Sequence, residues 1–358
     1  MLQDIPPNRM SPSELSPPEQ PTLALGMVGF SPEQRTALAS LIAHPRPGLP
    51  SWRLVSFWDA DAWWVNGSRV SVLPDGNLRV TAGRPQERTL TLRLEEVHRP
   101  VAFSTPLGSG DFEAVCTFDP GSESAIHRVL LQFDRWLQPM LFKAALGALV
   151  IERGTTLRGS IYHVTRQATL LAVLDFRHGH AAVLPTASPL DLIGAHWDRR
   201  PPGAHDLPES FALCTPAQLV WTHARHTTRD LLPARYRTEM IYYRHEPRVP
   251  MGWLQDSTLR VLSALFTEPG NFGSLRERTE VPEKVLANDL ACLYYAGAVT
   301  TTPFKAAGSV QVRPQEPVPA ASDDEVDSTM GRSTLPPIDA ERTAPARLYQ
   351  NPRSETFS

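Results

Sequence analysis

Six arginines lie between positions 225 and 248: Arg225, Arg229, Arg235, Arg237, Arg244 and Arg248. They are interleaved with Tyr236, Tyr242 and Tyr243, against only three acids, Asp230, Glu239 and Glu246. Guanidinium groups bind phosphate and carboxylate through paired hydrogen bonds and stack on aromatic rings. The segment therefore suits an anionic partner: a nucleic acid, a nucleotide or an acidic protein surface. The competing reading is a solvated linker whose tyrosines pack on the following module. A second set, His163, His178 and His180, includes the H-x-H spacing that places two rings on one face of a strand. Asp175 is the one carboxylate close in sequence, no cysteine is near, and Arg177–His180 reads as a hairpin turn, so no metal is expected there. The chain has no G-x-S-x-G, no P-loop and no H-E-x-x-H. The expectation is a protein that is not an enzyme, with no catalytic residue and no cofactor.

Elements must position whatever these residues do. The chain has 358 residues, too many for one ordinary domain, with a hydrophobic fraction of 41% that supports a core. Its formal charge of −3 argues against non-specific polyanion binding by the whole molecule. Cys116, Cys214 and Cys292 are far apart and form no disulfide framework, as a reducing compartment tolerates. The first residues lack the pattern of a secretory signal, and the apolar stretch from Trp136 to Ile151 contains Pro139 and Lys143 and is too short to cross a bilayer. The expected location is cytoplasmic, with no membrane contact.

The fold class expected is α/β and α+β, in several domains. Residues 1–21 hold six prolines among polar neighbours and read as disordered, as does the acidic, aperiodic stretch 309–358. Residues 22–110 read as a small α/β layer domain: an apolar strand from Leu23 to Phe30, a helix opened by Ser31-Pro32, further strands at 52–57 and 62–65, and a turn at Asp75-Gly76. Residues 111–250 read as an α+β module ending in the basic segment as a linker. Its long helix runs along Ile126, Val129, Phe133, Leu137 and Leu141, kinked by Pro139. Strands follow, then a short helix from Ser188 to near Trp197, then a helix over 216–229. Residues 251–308 read as three short helices and a strand, with Gly297 at a helix carboxyl end.

The first of these modules resembles a degenerate receiver domain of two-component signalling. A receiver carries an acid pair after its first strand, a phospho-accepting aspartate after its third and a lysine before proline after its fifth. Here Ser31-Pro32-Glu33 stands at the first place, Asn66 at the second and Thr105-Pro106 at the third. The resemblance implies the fold without the phosphotransfer, with Glu33, Asn66 and Thr105 at the degenerate positions. The last module resembles a winged helix-turn-helix. Its third helix would offer Glu283, Lys284, Ala287, Asn288 and Ala291 outward, a poor set for phosphates. The function expected is a non-enzymatic signalling or regulatory adaptor that works through other proteins, with a homodimer compatible. The alternative is a transcriptional regulator contacting DNA through the winged-helix-like module and the Arg225–Arg248 segment.

Overall fold

A computed structural model describes residues 19, 21–43, 50–85, 87–93, 97–108, 112–154, 156–157, 159–201, 203 and 206–307. Most of the two expected disordered stretches lies outside these residues. Glu19, within the first, is described and bonded: its carboxylate accepts from Thr227 Oγ1 at 2.8 Å and from Thr228 N at 3.1 Å.

The amino-terminal part is a parallel sheet of β1 (Thr22–Val28), β2 (Ser51–Val55), β3 (Ala62–Val65) and two later strands, covered differently on its two faces. A helix, α1 (Pro32–Ile42), joins β1 to β2. Ser31 caps it, accepting from Gln34 N at 3.2 Å, while Gln34 accepts from Ser31 N, so two otherwise orphaned amides are satisfied together. Between β3 and the next parallel strand lies an antiparallel insert of β4 (Val70–Val72), β5 (Leu78–Val80) and β6 (Leu90–Leu92). The turn between β4 and β5 contains Asp75-Gly76, as its residue types dictate, with Gly76 at φ +80°. Then come β7 (Val101–Ser104) and β8 (Thr117–Phe118). The sheet order is β2-β1-β3-β7-β8, every pair parallel. Leaving out the insert, this is the 2-1-3-4-5 order of doubly wound sheets. Side chains alternate along β3 as a strand requires. Ala62 and Trp64 enter a core with α1 and the following helix, whereas Trp63 and Val65 enter a core with Val70, Leu78, Val80 and Leu92 of the insert. A three-stranded sheet thus covers the face where a doubly wound fold carries helices.

One helix belongs to two cores. α2 (Glu123–Glu152) runs unbroken through Pro139. Its first half, Ile126 to Leu141, covers the parallel sheet, and its second half, Phe142 to Val150, covers a second sheet. The expected division near residue 110 therefore separates the first sheet from the helix that buries it. The second sheet is antiparallel, built from β9 (Ile161–Arg166), β10 (Thr169–Asp175), β11 (His180–Val183), β12 (His196–Arg200) and β13 (Ala212–Cys214), in the order β12-β9-β10-β11-β13. The helix expected from Ser188 to near Trp197 is instead one 3₁₀ turn, Pro189–Leu192, and Trp197 is a buried strand residue of β12. Its indole packs into the core beneath α2, an apolar placement that a strand supplies as well as a helix.

Next come α3 (Pro216–His226), α4 (Arg235–Thr238), β14 (Tyr242–Tyr243), α5 (Asp256–Thr267), α6 (Phe272–Thr279), α7 (Glu283–Tyr295) and β15 (Val299–Thr300), the last pairing antiparallel with β14. The segment expected as a linker is part of this last core. Leu232, Tyr236 and Ile241 are buried with Val261, Leu275, Leu286 and Leu290. Helix α3 lies among all three bodies. Leu219 and Val220 enter the core of the second sheet, while Trp221 and Ala224 enter that of the last helices. Its approach to α2 requires Gly147, where a Cβ would sit 2.1 Å from Leu219 O.

Candidate functional site

Ligands of open parallel sheets bind beyond the carboxyl ends of the strands, where neighbouring connections diverge. Here that place lies between β1 and β3, and Asn66 fills it. Asn66 is buried; its Nδ2 donates to Gly29 O at 2.9 Å. Its Oδ1 accepts from Ser68 Oγ at 2.8 Å, Ser68 N at 3.2 Å and Ser104 Oγ at 3.2 Å. Ser104 Oγ in turn accepts from Gly67 N at 3.1 Å. Every member of this network is neutral. The insert closes it from outside, since a Cβ on Gly83 would meet Phe30 O at 2.3 Å. Glu33 and Thr105, expected alongside Asn66, are occupied locally. Glu33 is exposed, and its carboxylate accepts from Ser31 Oγ at 2.7 Å, which lowers its pKa. Thr105 donates through N and Oγ1 to Phe118 O, at 2.8 and 3.3 Å. No hydrogen bond or ion pair joins Glu33, Asn66 and Thr105 among the described residues.

The arginine segment does not form one surface. Arg225 points inward and donates to Asp59 O at 3.2 Å. Arg229 pairs with Glu19 at 3.2 Å, and Arg237 with Asp230, its guanidinium also lying over the Phe272 ring. Tyr236 is buried and donates to Val299 O at 3.2 Å; burial raises its pKa to about 12. Arg235 lies over the rings of Tyr236 and Tyr294, at 5.5 and 5.8 Å from their centroids. Arg235, Arg244 and Arg248 keep exposed side chains. At the histidines, His178 Nδ1 lies 2.7 Å from Asp175 Oδ2 across the β10–β11 turn.

Of the five α7 residues expected to face outward, Glu283 and Lys284 are exposed and the other three are not. Ala287 and Ala291 are buried, and Asn288 Nδ2 donates to Ala224 O of α3 at 2.6 Å. The expectation that these three face outward is corrected. The small side chains at 287 and 291, which read as a bare face, serve to let two helices approach.

The amino edge of the parallel sheet carries a site that no sequence pattern announces. Asp61, just before β3, accepts from Ala24 N at 2.7 Å and faces His226 Nε2 at 3.1 Å. His226 Nδ1 lies 2.6 Å from Thr222 O. Both ring nitrogens thus face oxygen atoms, one of a backbone carbonyl and one of a carboxylate. Burial pushes the Asp61 carboxyl up, but the charge and hydrogen bond of His226, with Ala24 N and Arg225, hold it below its ordinary value. Around the pair stand Arg53 on β2, Arg99 before β7, Arg225 and Asp59. Asp61 and His226 are 165 residues apart, and no local pattern links them.

No protein-family model, no curated protein and no solved structure matches this chain.

Proposed function

We propose that this chain is a non-enzymatic regulatory adaptor, a pseudo-receiver joined to a winged-helix-like module, that acts by binding other proteins. The observation that carries the reading is the neutral network around Asn66. Phosphoryl transfer at that place needs a carboxylate to accept the group and others to hold a metal ion. Asn66 offers an amide whose polar atoms are already engaged with Gly29, Ser68 and Ser104. A contact surface is available on the last module. Phe266 is 75% exposed, Tyr243 lies edge-on to it at 5.5 Å, and Arg244 follows Tyr243 in the chain. Exposed aromatics beside arginine are the composition of binding hot spots.

Incubation with Mg²⁺ and acetyl phosphate, followed by intact-mass measurement, tests the reading. An unchanged mass is expected; an adduct within residues 22–107 overturns it. The transcriptional alternative expects duplex DNA binding that weakens steeply with salt. The burial of Ala287 and Ala291 on α7 speaks against it, and fluorescence anisotropy is expected to show no duplex binding at low salt.

A further inference from the structure

The loop that leaves α3 gathers four donors around one carboxylate. That carboxylate belongs to Glu19, 208 residues before Thr227 in the chain and just ahead of β1. Thr227 Oγ1 donates to it at 2.8 Å, Thr228 N at 3.1 Å and Thr228 Oγ1 at 3.0 Å. Arg229 Nε lies 3.2 Å away and completes the set with a positive charge. Hydrogen bonds to an ionised acceptor are stronger than those between neutral groups. Partial burial pushes the Glu19 carboxyl up, but Thr227, Thr228 and Arg229 hold it below its ordinary value.

Bonds that do not involve Glu19 arrange the loop for this task. Thr227 N donates to His223 O at 2.9 Å, so the end of α3 sets where the loop starts. Thr227 Oγ1 accepts from Arg229 N at 3.1 Å, which leaves its proton to point at the carboxylate. Asp230 Oδ1 accepts from Leu232 N at 3.1 Å, and Leu232 is buried in the core of the last helices. Converging donors that the fold already holds lose little freedom when an anion arrives. The bonds from the loop to Glu19 all end on its carboxylate, so the cradle reads a carboxylate and not a particular stretch of chain. Its charged wall faces solvent, since the Arg229 side chain is 62% exposed against 15% for Glu19.

We propose that Thr227, Thr228 and Arg229 form a carboxylate-binding site that Glu19 occupies in cis and that an acidic segment of a second protein occupies in its place. A tethered occupant acts at an effective concentration of about millimolar, so Glu19 sets the threshold that a partner must exceed. The inference rests on the adaptor reading only in that the partner is a protein. A phospho-adduct would end that reading and leave the cradle untouched.

Titration of the isotope-labelled full chain with the blocked peptide of positions 17–22, PPEQPT, tests it, with the Thr228 amide resonance as the reporter. In Glu19→Ala that resonance should move upfield as its acceptor is lost, and saturating peptide should move it back. The parent, its cradle filled, should bind the peptide about ten-fold or more weakly than Glu19→Ala does. Adding Arg229→Ala to Glu19→Ala should weaken the peptide about ten-fold, as should a peptide carrying Glu19→Gln. Higher chloride should weaken it as well. If the alanine chain has melted at the assay temperature, Glu19→Gln, which keeps the side chain's shape, takes its place with the same expectations. No binding by the emptied chain at millimolar peptide, or equal binding by the emptied and parent chains, overturns the site. A peptide indifferent to Arg229→Ala or to the loss of its own acid overturns carboxylate recognition by these residues.

Discussion

His226 on α3 and Asp61, just before β3, meet as a buried pair, Nε2 to Oδ1 at 3.1 Å, that fastens the parallel sheet to the helix shared by the rest of the fold. Removing Asp61 leaves His226 Nε2 and Ala24 N buried without their partner. Asp61→Ala is expected to cost about 1–3 kcal/mol in urea unfolding. The folded state holds the Asp61 carboxyl below its ordinary 3.8, so its contribution is complete above that value and is lost as pH falls through the lower folded value. Stability of the parent should therefore drop steeply below about pH 4, and Asp61→Asn should flatten that part of the curve. An equally steep fall in the variant would show that other carboxylates carry it.

His223, one turn earlier on α3, is held neutral by its burial. Burial lowers its pKa from 6.5 to about 4, outweighing the attraction of Glu19, with Arg229 and His226 adding to the shift. The fold holds it neutral and the unfolded chain binds the proton more readily. Its contribution is whole above pH 6.5 and declines as pH falls toward about 4. The loss over that window is about 3 kcal/mol. Urea midpoints measured across it should slope in the parent and lie nearly level in His223→Gln.

Gly147 is required by the contact of α2 with α3. Alanine there improves helix propensity by about 1 kcal/mol. Its Cβ would nonetheless overlap Leu219 O, and backbone cannot turn aside as a side chain does. Gly147→Ala is expected to lower stability by about 1–3 kcal/mol on balance, read as a lower melting temperature. A variant as stable as the parent would mean that the helices separate freely.

On the proposed pseudo-receiver reading, Asn66→Asp places a carboxylate where a working receiver carries one, and is expected to bring no chemistry. The new oxygen would face Gly29 O where Nδ2 now donates, in a buried place. The expected cost is about 1–3 kcal/mol, with no phospho-adduct by intact mass after acetyl phosphate and Mg²⁺. An adduct carried by the variant at the substituted position, and absent from the parent chain, would instead show that only the side chain was missing.

Local physics made several elements legible in the sequence. Ser31-Pro32 starts a helix because a hydroxyl and a proline meet the needs of the first turn, and Gly297 ends one at φ +74°, where a Cβ is strained. The Asp75-Gly76 turn and the long apolar stripe from Ile126 to Leu141 follow equally from neighbours within a few residues. Trp197 was not legible, because a short apolar run suits a buried strand as well as a helix. Tertiary packing alone decided that Ala287 and Ala291 are buried and Asn288 meets α3, that the arginines of 225–248 divide between interior and surface, and that Asp61 meets His226. The periodicity of a chain states that a face is apolar or charged. Which partner covers that face is settled by chain reversals far away in sequence, and a charge pair across 165 residues leaves no trace in the spacing of either residue.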